Sequence, residues 1–442
     1  MSLTPPATVG KLQAALHTKA KESPKYRFYA LYDKLYRPDV LAYAYERCRG
    51  NGGAAGVDGQ TFADIATYGV GQWLGELAQD LKGKTYTPRA VRRVWIPKAN
   101  GQKRPLGIPT IRDRVVQMAA VLVLEPIFEA DLLPEQYAYR SGRSATEAVR
   151  AVQSLLDQGY TEVVDADLSG YFDSIPHTEL LKSVARRISD GRLLHLLKMW
   201  LEAPVEETDE RGRVQRTTRN KDEGRGTPQG GVASPLLANL YMRRFLLGWK
   251  LLGHEQRLEA FIVNYADDFV ILTRQHAAEA AAVMRTLMAK LKLTVNERKT
   301  RNCSMPEDTF TFLGFTFGRQ VSWRTGRAYL APAPATAKVE AICVKISQTT
   351  RRQTVWRDEA EQVAQLNHLL VGWANYFRLG NVTAAWRVVQ QHACRRLRRW
   401  LRDKHKARAG RGQHYPDMQL YERYGLVNLV RSVSRLSLWA TV

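Results

Sequence analysis

Two adjacent carboxylates set between two apolar runs limit this chain more than any other feature. Tyr265-Ala266-Asp267-Asp268 follows Phe261-Ile262-Val263 and precedes Phe269-Val270-Ile271-Leu272. Apolar runs rich in β-branched and aromatic residues on both sides read as short buried strands, with the acidic pair at the turn of a β-hairpin. Two negative charges at an apolar hairpin tip repel, and a cation offsets that repulsion. Hard divalent ions that keep waters and bind phosphates, above all Mg²⁺, suit such oxygen donors. A lone Asp-Asp is more often a polar turn. The motif therefore needs a third carboxylate and a nucleic-acid-binding surface before it carries metal chemistry.

The third carboxylate is available. Glu162-Val163-Val164-Asp165-Ala166-Asp167 is a second apolar strand ending in acid, and period-two alternation puts Asp165 and Asp167 on one face. A strand-end Asp beside the hairpin pair would make a cluster of three carboxylates. Three carboxylates around two divalent ions form the recurring device for in-line displacement at phosphorus.

The charge balance supplies the expected partner. The 442 residues carry 66 Lys and Arg against 43 Asp and Glu, a formal net charge of +23, which calls for a polyanion such as nucleic acid. With 45% hydrophobic and 25% charged residues, a large packed core is expected rather than global disorder. The four cysteines, Cys48, Cys303, Cys343 and Cys394, are far apart, which gives neither a zinc pattern nor a disulfide framework. The N-terminal residues lack the pattern of a signal peptide, and no apolar run is long enough to cross a bilayer. A soluble, cytoplasmic protein without membrane partners is expected.

Periodicity outlines the elements. Residues up to about 58 read as helical, with Phe28, Leu31, Tyr32, Leu35 and Tyr36 on one helical face. The Gly-rich stretch 50–56 reads as a flexible connector. Helices are predicted over 73–81, 111–128 and 279–291, the last with Val283, Leu287 and Leu291 as its core-facing stripe. Strands are predicted over 91–97, 161–167, 261–263 and 269–273, with a basic hairpin tip over 98–104. This is an α+β body with an antiparallel central sheet. A domain boundary is placed at Ala331-Pro332-Ala333-Pro334, beyond which the chain reads as helical.

At these residues the chain resembles the reverse transcriptases encoded by group II introns, over most of its length. Asp167 matches the first Asp of the family's Asp-x-x-Gly-x-Phe-Asp segment, and Asp267 and Asp268 match its Tyr-Ala-Asp-Asp box. The resemblance implies that Asp167, Asp267 and Asp268 are catalytic ligands of two Mg²⁺ ions. It also implies that Phe172 is an aromatic gate against a ribose 2′-hydroxyl. Gly226-Thr227-Pro228-Gln229-Gly230-Gly231 resembles the box in which Gln229 lies beside the incoming nucleotide. Ile96-Pro97-Lys98 and Arg104-Pro105-Leu106-Gly107 resemble the fingers hairpin, so Lys98 and Arg104 would grip the triphosphate, charges suited to polyphosphate. Lys299 matches a Lys near the leaving phosphate, and Tyr137-Ala138-Tyr139-Arg140-Ser141-Gly142-Arg143 a template-contacting segment through Arg140 and Arg143. Phe312-Leu313-Gly314-Phe315 matches the last box of the palm. Asp165 and Asp173 are read as structural, and Ser169 stands where the family often has Lys.

Residues 366–378 resemble the family's maturase-specific thumb, and the run Arg395, Arg396, Arg398, Arg399, Arg402, Lys404 and Lys406 is expected to meet phosphates. The implied fold is a right-hand polymerase: an N-terminal helical extension with the first fingers segment (1–60), fingers and palm (61–330), a helical thumb (335–405) and a basic tail contacting DNA or RNA (406–442). The Cys/His-rich endonuclease module of some relatives has no counterpart in the sequence. The implied function is RNA-directed DNA synthesis on intron RNA, with help to splicing and mobility. Implied partners are group II intron RNA, template RNA, primer DNA, target DNA and deoxynucleoside triphosphates. A splicing-only RNA-binding protein and a polymerase domesticated for defence or repair are the alternatives. The intact Asp triad weighs against the first.

Overall fold

The computed structural model describes residues 4–97, 101, 103–209, 211–321, 325–406 and 415–432, in two compact units. The first comprises residues 1–144, 166–269 and 278–300, and the second 145–165, 270–277 and 301–442. The strands are β1 (Val91–Pro97), β2 (Lys103–Ile108), β3 (Glu162–Asp167), β4 (Val205–Thr208), β5 (Val214–Thr217), β6 (Phe261–Tyr265), β7 (Asp268–Thr273), β8 (Arg301–Ser304), β9 (Phe310–Phe312), β10 (Phe315–Val321) and β11 (Ala328–Pro334). They form three sheets, ordered β2-β1-β4-β5, β6-β7-β3-β8 and β11-β10-β9. Among the described residues no helix is long and apolar enough to cross a membrane.

The first unit is built on the helix Ile111–Glu129, apolar on nearly every face and buried along most of its length. Thr110 caps its start by accepting from the Asp113 amide at 3.1 Å. Pro126 lies inside it and has no N–H for the Leu122 carbonyl four residues earlier. Gln13, from the helix Ala7–Glu22, supplies the missing donor through Nε2 at 3.0 Å. A second long helix, Ser234–Leu251, buries Leu236, Leu237, Leu240, Tyr241, Phe245 and Trp249. β1 and β2 form the expected antiparallel hairpin, with Pro97 opposite Lys103. β4 joins β1 in parallel, a pairing that the short, polar β4–β5 stretch did not announce.

Several local expectations needed correction. Phe28 and Leu31 are buried but not helical, and only Tyr32–Leu35 forms a turn of helix. The Phe28 backbone pairs instead with Arg187 and Ser189, while one Asp190 oxygen accepts from both the Leu31 and Tyr32 amides at 2.8 Å. In the Gly-rich stretch 50–56, residues 50–51 end the helix Pro38–Asn51 and 52–56 form a clamped loop, because Arg114 donates to the Gly52 and Ala54 carbonyls at 3.2 and 2.7 Å. In the helix Ala277–Lys290 the buried stripe runs through Ala280, Ala281, Met284, Leu287 and Met288, with Val283 only half-buried.

In the second unit β3 pairs antiparallel with β8, Asp165 opposite Arg301. β9 and β10 turn at Leu313 and Gly314, both at positive φ, the geometry of a two-residue type I′ hairpin. Phe310 and Phe317 stack 4.8 Å apart, and Phe310, Phe312, Phe315 and Phe317 are fully buried, so this box packs the core beneath its sheet. Beyond β11 the described residues are helical: Thr336–Thr349, Glu359–Tyr376 and Thr383–Lys404 pack through Ile342, Ile346, Leu366, Leu370, Trp386, Leu397 and Trp400.

Candidate active site

The end of β3 is held by the segment 293–300. Leu168 bridges Val295 antiparallel, the Ser169 amide donates to the Thr294 carbonyl at 2.9 Å, and the Asn296 amide donates to the Asp167 carbonyl at 2.8 Å. That pairing brings Asn296 and Lys299 onto the Asp167 carboxylate. Asn296 Nδ2 and Lys299 Nζ both donate to Asp167 Oδ2, at 2.9 and 3.0 Å. Lys299 therefore sits on the first Asp itself. Asn296 was not anticipated. Its signal was a lone amide following the alternating Leu293-Thr294-Val295 run, three residues before Lys299.

The hairpin turn is a two-residue loop, Ala266-Asp267, with Ala266 at φ +61°. A positive φ at the first turn position matches the right-handed twist of the flanking strands, and glycine is the residue that adopts it freely. Here Ala takes the strain, and buried Asn264 braces the turn by donating Nδ2 to the Ala266 carbonyl at 2.8 Å. The Asn264 backbone is pinned in turn by the Glu135 carbonyl and the Tyr137 amide. Burial pushes the Asp267 carboxyl above its usual range. Asp167's charge pushes the same way, while Arg104 and Lys299 pull it back. Asp167 and Asp267 thus feel each other, and Asp268 opens β7 directly after the turn. Among the described residues, however, no three His, Cys, Asp or Glu side chains come together so as to hold a metal ion, so the three-carboxylate cluster read from the sequence is not closed.

A polar chain runs beside these carboxylates. Arg104 Nε donates to Gln229 Oε1 at 3.0 Å, and Gln229 Nε2 donates to Asp173 Oδ2 at 3.1 Å. Burial raises the Asp173 carboxyl, against the pull of Arg93, the Gln229 bond and Arg104. The Gln229 loop reaches the β1–β2 hairpin through Gly107 N–H donating to the Gln229 carbonyl at 2.5 Å. That approach requires glycine: a Cβ on Gly230, at φ +109°, would lie 2.2 Å from the Gly107 carbonyl oxygen. Phe172 is buried, and its carbonyl accepts from the Thr227 amide at 2.7 Å, tying the post-β3 turn to the Gln229 loop. The neighbouring Tyr171 hydroxyl donates to the Ala238 carbonyl at 2.6 Å. Tyr139, half-exposed and at φ +56°, has its hydroxyl pushed up by partial burial and then by the Asp267 charge, which places it in the same field. Lys98 lies outside the described residues.

The profile of the reverse transcriptase (RNA-dependent DNA polymerase) family matches residues 96–317, and that of the group II intron maturase-specific domain matches residues 339–416. Protein YkfC of Escherichia coli (strain K12) is 34% identical over 351 residues, covering 71% of this chain and 89% of that protein. Group II intron-encoded protein LtrA of Lactococcus lactis subsp. cremoris is 32% identical over 246 residues, covering 54% of this chain and 39% of that protein. The chain belongs to the group II intron-encoded reverse transcriptase and maturase family. Its fold class is accordingly the α+β polymerase class of fingers and palm followed by a helical thumb. The chain spans most of YkfC but well under half of LtrA.

The cations of this family member divide by what they touch. Arg140, expected at a template, is 6% exposed at its side chain. It pairs with Glu129 at 2.6 Å and donates to the Leu133 and Gln136 carbonyls, each at 2.7 Å. Four of its five N–H groups are engaged inside the protein, a structural role in place of the template contact expected. Arg143 is half-buried, with its guanidinium 5.2 Å from the Tyr137 ring. In the maturase-specific helix Thr383–Lys404, Arg396 donates to the Ser347 and Thr350 carbonyls and Lys404 to those of Val355 and Arg357. Arg398 donates to the Tyr415 carbonyl and pairs with Asp417. These three hold their own unit together. Arg395 and Arg399 are exposed, Arg402 is half-exposed and Lys406 is exposed just past the helix. At spacings of four and three residues Arg395, Arg399 and Arg402 share one helix face, opposite the buried Val389, Ala393, Leu397 and Trp400.

Proposed function

We propose that this chain is an RNA-directed DNA polymerase that copies intron RNA into DNA, and that it binds that RNA to assist splicing and mobility. The observation that supports this reading is the coupling of Asp167, at the end of a strand, with Asp267, at the tip of a strained hairpin, under the charge of Arg104. The donor chemistry fits hard divalent ions: all the oxygens are carboxylate, and Asp267 is disfavoured as an anion until a cation arrives. Asp167, Asp267 and Asp268 would hold two Mg²⁺ ions, with Lys299 as counter-charge to Asp167 in their absence. When bound, such ions activate a primer 3′-hydroxyl and neutralise the departing pyrophosphate.

The other residues take roles that need no metal geometry. Arg104, exposed and anchored through Nε by Gln229, grips the triphosphate together with Lys98. Gln229 is oriented by Asp173 and lies beside the nucleotide sugar. Phe172, packed against Tyr171 with ring centroids 5.8 Å apart, excludes a ribose 2′-hydroxyl. Arg395, Arg399, Arg402 and Lys406 contact RNA phosphates, with primer and target DNA as further partners. Residues 1–60 serve as extension and first fingers segment, 61–330 as fingers and palm, 335–405 as thumb and 406–442 as tail.

The test is extension of a DNA primer on an RNA template with and without Mg²⁺. Asp267→Asn is expected to cut the rate by about two orders of magnitude or more while intron-RNA binding persists. Full activity in that variant would end the metal assignment. Wild-type protein that binds intron RNA yet extends no primer would leave a splicing-only protein.

A further inference from the structure

The second unit carries a tryptophan that its loop is built to expose. Residues 350–358 connect the helices Thr336–Thr349 and Glu359–Tyr376, with the sequence Thr350-Arg351-Arg352-Gln353-Thr354-Val355-Trp356-Arg357-Asp358. The helix Thr383–Lys404 presents Arg396, Trp400 and Lys404 to this loop at four-residue spacing, one above the other. Arg396 donates to the Ser347 and Thr350 carbonyls at 3.0 and 2.8 Å. Trp400 Nε1 donates to Thr354 Oγ1 at 3.0 Å, and Lys404 Nζ to the Val355 and Arg357 carbonyls at 3.1 and 2.7 Å. Fully buried Gln362 adds a bond to the Thr349 carbonyl at 3.1 Å. The backbone is thus tied inward at both ends of the loop.

What remains outside is a cationic aromatic surface. Arg351, Arg352 and Gln353 are exposed, and Trp356 is 75% exposed. The Arg357 guanidinium lies 5.6 Å from the Trp356 ring and is itself held by Gln365 at 2.7 Å, so one side of the indole is backed by a positioned cation. The neighbouring acids face their own partners. Asp358 caps the Ala360 amide, Glu359 pairs with His405 and Glu361 accepts from Gln365. A tryptophan left in water forgoes one of the largest apolar burials any side chain can make. Holding it out on a clamped loop between arginines suits a flat partner that carries negative charge, which describes an unpaired nucleotide.

We propose that Trp356, with Arg351 and Arg352, is a stacking site for an unpaired base of single-stranded RNA. The inference rests on the RNA-binding part of the function proposed above and assigns it a nucleotide-level contact apart from the polymerase residues.

The test uses the full chain and a fluorescein-labelled 20-nucleotide single-stranded RNA, with the same sequence as a blunt duplex for comparison. Trp356→Ala and Trp356→Leu should weaken single-strand binding by about 5- to 150-fold, the range for losing one stacked base. Trp356→Phe should keep most of it. Duplex binding and the melting temperature should hardly move, since the ring is exposed and paired bases are not offered to it. Replacing Arg351 and Arg352 together by Gln should lower the salt slope of single-strand binding by about 1.4. Wild-type affinity in Trp356→Ala would overturn the proposal. Equal binding by the Leu and Phe variants would also overturn it. Wild-type protein that binds no RNA would overturn the functional reading itself, an outcome distinct from RNA binding indifferent to Trp356.

Discussion

Replacing Arg140 by Gln separates a structural arginine from a nucleic-acid contact. The Arg140 side chain is 6% exposed, and its guanidinium meets both Glu129 oxygens and the Leu133 and Gln136 carbonyls. Removing one partner of a buried pair costs about 3–5 kcal/mol, because the other charge is left without compensation. Glu129 is 30% exposed and can partly rehydrate, which argues for the lower end, about 3 kcal/mol. The two carbonyls lose a charged donor as well, but that loss overlaps the first and is not added. For a folded unit of this size, about 3 kcal/mol corresponds to a fall in melting temperature of roughly 6–12 °C. The assay is thermal unfolding of wild type and Arg140→Gln, paired with RNA affinity over a salt series well below both transitions. Stability should drop while the salt slope stays the same, because no phosphate contact is lost. A variant of unchanged stability whose salt slope shrank by about 0.7 would refute the reasoning and return Arg140 to the template.

Gly230→Ala should detach the Gln229 loop from the β1–β2 hairpin. The added Cβ would meet the Gly107 carbonyl oxygen at 2.2 Å, and φ +109° is strained for any side chain, costing about 1–3 kcal/mol. The expected readout is a raised KM for deoxynucleotide in primer extension; an unchanged KM would show that the close approach is dispensable. His177 offers a pH test. Burial depresses its pKa below the ordinary 6.5, and its Nε2 lies 2.8 Å from the Gly226 carbonyl. The unfolded chain then binds a proton more readily than the folded one, so this contribution is complete above about pH 6.5 and is lost as pH falls through the depressed value. Melting temperature should fall less between pH 7 and 5.5 in His177→Gln than in wild type, and equal falls would exclude the effect.

Elements whose signals are local were legible in the sequence. β1, β3, the helix Ile111–Glu129 and the turn before Asp268 all lie where alternation, apolar length and the acidic dipeptide put them. Each rests on interactions within a few residues, so a linear pattern suffices. Phe28 and Leu31 show the limit. Their spacing matched a helix and they are buried, yet Asp190, about 160 residues away, supplies hydrogen bonds that hold the segment there in another conformation. β4, β5, β8 and β9 were missed because short or polar strands acquire their pairing only from neighbours, and β11 because its Ala331-Pro332-Ala333-Pro334 end reads as a break between domains, whereas the structure pairs it with β10 over seven positions.

The same division runs through the functional residues. Sequence alone determined that an acidic strand end and an acidic hairpin belong to one polymerase-type chain, because their residue types, order and flanking apolar runs are written in one dimension. It also determined the excess of positive charge. Only the tertiary structure decided which cations are available. Arg395, Arg396, Arg398 and Arg399 are indistinguishable as letters. Helix phase turns Arg395 and Arg399 to solvent, whereas Arg396 and Arg398 reach carbonyls of residues about 46 and 17 positions away. The physical reason is that a guanidinium has no intrinsic destination. It settles wherever folding has left acceptors unpaired, and only the folded chain decides where those acceptors are.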